Sequence, residues 1–164
     1  MASLNFPKYE FRFKNKENKT VIFDAVRKKF IQLTPEEWVR QHCLQFLMQE
    51  KKIPKSLINV EKKIELNGLD KRYDIVVFKP NGKISLIVEC KAPKIKITQT
   101  VFDQIARYNL ALNADYLMLT NGLNHYYCQM DYAAQKYNFL RELPVGGNWN
   151  WSWNWSGVGY VGLI

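Results

Sequence analysis

No stretch of this chain is apolar for the roughly 20 residues that a membrane-crossing helix needs. Its first residues, Met1-Ala2-Ser3-Leu4-Asn5-Phe6-Pro7-Lys8, lack the apolar core of a secretion signal. Cysteine is scarce: Cys43, Cys90 and Cys128 are odd in number and far apart, matching neither a disulfide framework nor a zinc pattern. Histidine is scarcer. His42 and His125 are isolated and read as structural, although His125, just after an Asn121-Gly122 turn, could line a site. No Ser-His-Asp order stands out. These absences lead us to expect no membrane association and a reducing cytoplasm. Acidic residues are also in deficit, 15 against 24 Lys and Arg, leaving a net charge of +9. Such a surplus favours anionic partners, nucleic acid being the commonest; a merely soluble basic surface is the plain alternative.

What the chain does have is 164 residues that are 47% hydrophobic, enough for one domain with a full core. Tyr9 to Lys14 and Thr20 to Asp24 read as short strands. Thr34-Pro35-Glu36-Glu37 reads as a helix start, with a capping threonine, a first-turn proline and two acids on the dipole. Val39, Cys43, Phe46 and Leu47 follow at helical spacing as a core stripe, up to Pro54. Ile58 to Leu66 reads as a strand. Thr98 can cap a second helix to about Leu112, with Val101, Phe102, Ile105, Tyr108 and Leu112 available for packing. Strands at 116–120, 125–130 and 137–140 complete an α/β or α+β fold, a sheet with helices on its faces.

Between these lie Arg72 to Phe78 and Ile84 to Lys91, two β-prone runs joined through Pro80-Asn81-Gly82. If Asn81 and Gly82 form the turn, partners have numbers summing to 163, and Asp74 lies opposite Glu89. Pro80 cannot donate a ladder bond beside a two-residue turn, so the alternative is a longer loop or a slipped register. Glu89 and Lys91 share one face. Both parities of this hairpin are apolar, which implies a pair covered on both faces. Like charges opposed in a sheet are unfavourable. Either a divalent cation bridges Asp74 and Glu89, for which carboxylates, a carbonyl and water suit Mg²⁺, or Lys91 neutralises a structural cluster.

Together these residues resemble the PD-(D/E)xK nuclease superfamily, and more closely the type I restriction enzyme R subunit N-terminal domain in its small stand-alone forms. The resemblance covers roughly Phe23 to Leu143. Its carriers are Leu33-Thr34-Pro35-Glu36-Glu37-Trp38-Val39-Arg40-Gln41, Lys71-Arg72-Tyr73-Asp74-Ile75, Val88-Glu89-Cys90-Lys91-Ala92-Pro93 and Gln104-Ile105-Ala106-Arg107-Tyr108-Asn109. The resemblance implies a restriction-endonuclease-like core, a mixed sheet flanked by helices, and a DNA endonuclease using Mg²⁺, with Mn²⁺ able to substitute. Carried over by position, Asp74, Glu89 and the Cys90 carbonyl hold the metal, and Lys91 orients water or stabilises transition-state charge. Gln104 and Tyr108 match a Gln-x-x-x-Tyr pattern that supports the site or holds DNA, as could Arg40. Glu36, with Glu37 as alternate, matches an acidic residue near the metal; both could instead be helix-dipole partners.

Tyr73 stands where the family name has proline, and this chain contains no Gly-x-x-x-x-Gly-Lys-Ser/Thr phosphate loop, hence no motor. The alternative is therefore a non-cleaving DNA-binding or protein-interaction module. Implied partners are DNA and restriction-modification or helicase subunits, and a homodimer would serve double-strand cutting. We expect one nuclease-like domain over residues 1–145. Residues 146–164 form a Trp/Asn/Gly-rich extension in which Trp149, Trp151, Trp153 and Trp155 would share one side of an extended segment. That stripe could stack on single-stranded bases, pair as a sheet edge, or be a low-complexity tail whose removal leaves folding unchanged.

Overall fold

The computed structural model describes residues 1–66, 68–145 and 161–163. A three-stranded antiparallel sheet, β1 (Phe13–Lys16), β2 (Lys19–Asp24) and β3 (Lys29–Gln32), leads into helix α1 (Pro35–Gln45). Then come β4 (Ile58–Leu66), β5 (Leu69–Phe78), β6 (Ile84–Cys90), α2 (Gln99–Leu110), β7 (Tyr116–Thr120), β8 (His125–Asp131), β9 (Lys136–Leu140) and β10 (Val161–Leu163). These seven strands form a second sheet in the order β10-β9-β8-β7-β6-β5-β4. Among the described residues only β6 and β7 pair in parallel, joined by the α2 crossover. The class is α+β, with a mixed sheet flanked by helices, as expected. No helix among the described residues is long and apolar enough to cross a membrane.

The hairpin was expected to be covered on both faces, and it is. Ile75, Val77, Leu86, Val88 and Met118 pack with Val39, Cys43 and Leu44 of α1 and with Leu47 just beyond its end. Val76, Ile87, Leu117 and Leu119 pack with Phe102 and Ala106 of α2. Thr34 caps α1, its hydroxyl accepting the Glu37 N–H at 3.1 Å, and Thr98 does the same for Val101. Helix α1 ends earlier than Pro54: a π-turn over Phe46–Glu50 follows it, closed by Lys51 N–H on the Phe46 carbonyl at 3.1 Å. The first strand begins at Phe13, later than Tyr9. The preceding residues form a strap across α1, with Phe6, Tyr9 and Phe11 ringing His42 and the Trp38 indole donating to the Ala2 carbonyl.

The hairpin register is the expected one, reached by a different turn. Gly82 N–H bonds the Lys79 carbonyl and Lys79 N–H bonds Lys83, so the loop has three residues, Pro80, Asn81 and Gly82. Phe78 then pairs with Ile84, one short of the expected register, and a bulge restores it, pairing Val77 with Leu86, Val76 with Ile87 and Ile75 with Val88. Pro80 lengthens the loop by one residue and the bulge absorbs that residue. On the other edge of β5, Glu61 lies in the left-handed region (φ 51°) and interrupts the ladder between the Val60–Ile75 and Lys62–Tyr73 pairs. Ile75 packs in the α1 layer, whereas Tyr73 packs in the α2 layer. Residues two apart normally share a face. Strand β5 therefore rolls over at Asp74, which turns this carboxylate towards α1.

Gly82 has φ +83°, and an added Cβ there would meet nothing within 4 Å. Gly82→Ala should cost about 1 kcal/mol through backbone strain alone, and Gly82→Asn less. Urea unfolding curves check this; equal costs for the two variants would show that the turn tolerates either.

Candidate functional site

The site grows from a chain of alternating charges. Asp24, fully buried, accepts from Val26 N–H (2.8 Å), Arg27 N–H (2.6 Å), Arg27 Nε (2.7 Å) and Gln41 Nε2 (2.8 Å). Arg27 also donates to Glu61 at 3.1 Å and to Glu37, which in turn accepts from Gln41 and Arg40. Arg40 then reaches Glu36 at 3.2 Å and Asp74 Oδ1 at 2.7 Å. Burial works against the Arg40 guanidinium, but Asp74 and Glu37 outweigh it and hold it firmly protonated. The other oxygen of Asp74, Oδ2, accepts the Cys90 N–H at 2.7 Å. The backbone pairing of β5 with β6 ends at Ile75 and Val88; one step beyond, the Asp74 side chain takes the place of a strand partner.

Glu89 is buried with its carboxyl against that of Asp74. Its Oε1 has no hydrogen-bond partner, because Lys71 Nζ, at 3.6 Å, is an ion-pair contact too long for a hydrogen bond. Burial, then the Asp74 charge, pushes the Glu89 carboxyl up from 4.5 to about 7, with Lys71 and Lys91 pulling the other way. Glu36, half-exposed, feels the same two neighbours: burial and Asp74 raise its carboxyl, and Arg40 and Lys91 offset them. Asp74, Glu89, Lys91 and Glu36 therefore meet in one place. Lys71 joins them from the side, its ammonium 4.6 Å from the Tyr73 ring centroid and 4.9 Å from that of Tyr108.

This is a suitable setting for a hard divalent cation: two adjacent carboxylates, one with a buried oxygen lacking a partner. Among the described residues no three acidic, histidine or cysteine side chains gather as a metal-holding group. Two carboxylates with a backbone carbonyl and water is the shell that these residues could provide.

The description "Type I restriction enzyme R protein N terminus" belongs to a family model that matches residues 35–144, more than half of the chain. The chain belongs to this family. No curated protein matches it. Among solved structures, a DUF820 protein from Anabaena variabilis ATCC 29413, itself only provisionally called a nuclease, is similar at 15% identity and a TM-score of 0.38, covering 78% of this chain and 75% of that one. The family match starts at Pro35, later than the expected Phe23, so this R-protein N-terminal domain carries its strap and β1–β3 sheet outside the matched region.

Within this restriction-enzyme domain the remaining sequence-derived residues fall in different places. Arg40 is buried among carboxylates beneath the site, with no face left for DNA. Glu37 is buried as part of the ion-pair chain, whereas Glu36 keeps an exposed side. Tyr108, available for packing by its spacing and matched by the resemblance to a site-supporting or DNA-holding tyrosine, is 55% exposed and reaches the site through Lys71; Gln104 on the same helix is exposed. Cys90 turns its buried thiol towards Cys43, Sγ to Sγ 3.8 Å. That contact, then burial, raises the Cys90 thiol well above its usual range. His125 bridges Thr120 and the Asn5 carbonyl as a strap anchor, and burial lowers its pKa. The tryptophan run at 149–155 lies outside the described residues. Sequence reasoning missed Lys71, Asp24, Arg27 and Glu61. Lys71 carried one signal: it stands three residues before Asp74 in a strand otherwise preparing to be buried.

Because folded Glu89 keeps its proton to higher pH than the unfolded chain, its contribution to stability is full below about pH 4 and is lost as the pH rises through about 7. In metal-free protein Glu89→Gln should therefore raise the melting temperature at pH 8, by about 1–3 kcal/mol in stability, and change it little at pH 5. A pH-independent effect in differential scanning calorimetry would contradict this. Arg27→Met should cost about 3–5 kcal/mol by leaving Asp24 and Glu37 buried without their shared cation. Chemical denaturation measures it, and a loss under 1 kcal/mol would show the chain to be unimportant to folding.

Proposed function

We propose that the protein is a Mg²⁺-dependent DNA endonuclease, with Mn²⁺ able to substitute, built as one domain over residues 1–145. What supports this reading above all is the partnerless Oε1 of buried Glu89 beside the Asp74 carboxylate, in a chain of the restriction enzyme R N-terminal family. Asp74, Glu89 and the Cys90 carbonyl hold the cation. When bound, the cation supplies Lewis acidity and charge neutralisation at a phosphodiester. Arg40 and the Cys90 N–H fix both Asp74 oxygens, so this ligand is pre-organised. Lys91 orients the attacking water and stabilises charge gathering on the phosphate. Glu36 lies beside Asp74 and Lys91, where it can accept a proton or position water. Tyr108 steadies Lys71 through its ring, and Gln104 on the same exposed helix side offers its amide to DNA.

A second reading draws on a specific observation: Asp74 and Glu89 each already have a cationic side chain beside them, Arg40 and Lys71, with no metal ion needed to offset their charge. On that reading the domain binds DNA, or a restriction-modification or helicase subunit, and does not cut. A homodimer would supply a second site for the opposite strand.

Plasmid, linear and branched DNA incubated with Mg²⁺ or Mn²⁺ tests both readings. Asp74→Ala, Glu89→Ala and Lys91→Ala should each lower cleavage by on the order of 10²-fold or more with the fold intact by circular dichroism. Undiminished cleavage by the Glu89 variant would exclude the catalytic assignment; salt-sensitive binding with no cleavage under either metal would establish the second reading.

A further inference from the structure

The β1–β3 sheet presents two unlike faces. Partners directly opposite in an antiparallel sheet share a face, so Ile22 and Ile31 lie on one side with Asp24, and Ile22 and Asp24 are fully buried. On the other side stand Lys14, Lys16, Lys19, Phe23, Phe30 and Gln32 around a buried Val21, with Arg12 continuing the row next to Phe23. All four cations are exposed, and among the described residues none has a carboxylate partner. Lys16 and Lys19 are directly opposed, a like-charge pair that weakens a sheet. The Arg12 guanidinium sits 4.6 Å from the Phe23 ring centroid and the Lys14 ammonium 4.4 Å from that of Phe30. These ring contacts hold two charges upright without neutralising them.

The ring contacts give Arg12 and Lys14 a stabilising role, but stability offers no reason for opposing Lys16 to Lys19, whereas a polyanion does. We propose that this outer face is a binding surface for the phosphate backbone of duplex DNA; the proposal rests on the nuclease reading for its choice of DNA. Position supports it. The turn between β2 and β3 carries Arg27, which bonds Glu37 and Glu61 beside Arg40 and Asp74, so one end of the sheet is anchored at the candidate site. From there the strand runs outward to Lys19. At about 3.3 Å per residue that is roughly 17 Å, or about five phosphate intervals along one DNA strand. The surface lies outside the family-matched residues 35–144. It reads no base edges: it positions DNA without specifying sequence.

The test uses the full chain and a fluorescent 30-base-pair duplex in EDTA, where no metal-dependent cutting occurs. Affinity is measured against salt for wild type, for Lys14→Ala/Lys16→Ala/Lys19→Ala, for the same three changed to Arg, and for Lys52→Ala/Lys55→Ala/Lys83→Ala, an equal loss of charge at exposed sites elsewhere. The face variant should bind at least tenfold more weakly at 100 mM salt, with a salt slope shallower by about 2 to 3. The arginine variant should bind as wild type does, and the control should lose less than threefold. Equal losses in the face and control variants would overturn the proposal and leave only diffuse attraction. Polyglutamate displacing the duplex at equal charge concentration would overturn it in favour of an acidic protein partner. Wild type that binds no DNA and cuts none would instead mean that the nuclease reading itself has failed.

Discussion

The structure depends on one buried run of alternating charge: Asp24, Arg27, Glu37, Arg40, Asp74. Each buried ion would be costly alone, and each is paired with the next, with backbone N–H groups and Gln41 taking up oxygens of Asp24, Glu37 and Asp74. The run joins four pieces of chain: the small sheet, the first turn of α1, the left-handed kink at Glu61 and the roll of β5. Its last link is Arg40 on Asp74. The geometry of the candidate site is therefore set from residues about 50 positions upstream, through charges that are mostly buried.

The run also explains how an apolar hairpin ends in a polar centre. Up to Ile75 and Val88 the strands are an ordinary ladder buried on both faces. At the next step the Asp74 side chain captures the Cys90 N–H and Arg40 captures Asp74. Glu89 is left with an oxygen that nothing in its own surroundings satisfies. Lys71 and Lys91 lessen the cost from a distance without removing it. The two carboxylates differ: Asp74 has both oxygens fixed by Arg40 and the Cys90 N–H, whereas Glu89 has Asp74 beside it and keeps one oxygen without a partner.

Much of this was legible in the sequence. The Thr34 and Thr98 caps, both helices, the hairpin register and the meeting of Asp74 with Glu89 follow from local chemistry and a period of two. The turn was legible in its difficulty, since Pro80 forbids the short loop, but the compensating bulge was not, because a bulge is chosen by the packing of Leu86 and Val88. The burial of Glu37, Arg40 and Gln41 was hidden because α1 is covered on its outer side by the strap and the β1–β3 sheet, so a helix with one apolar stripe is buried nearly all round. The spacing left Tyr108 open to packing or to supporting the site; its place beside Lys71 depends on a strand 37 residues earlier. Lys71 itself has no periodic signature, and only the roll at Asp74 gives it a neighbour to neutralise.

The central claim is that Asp74 and Glu89 together form a cation site that Lys71 neutralises when it is empty. Crystals grown without metal and then soaked in Mn²⁺ would test it most directly by anomalous scattering. The account predicts one peak about 2.2 Å from a carboxylate oxygen of each residue, with Lys71 moved away from Glu89. No peak between the two carboxylates at saturating Mn²⁺, with Lys71 still beside Glu89, would contradict it.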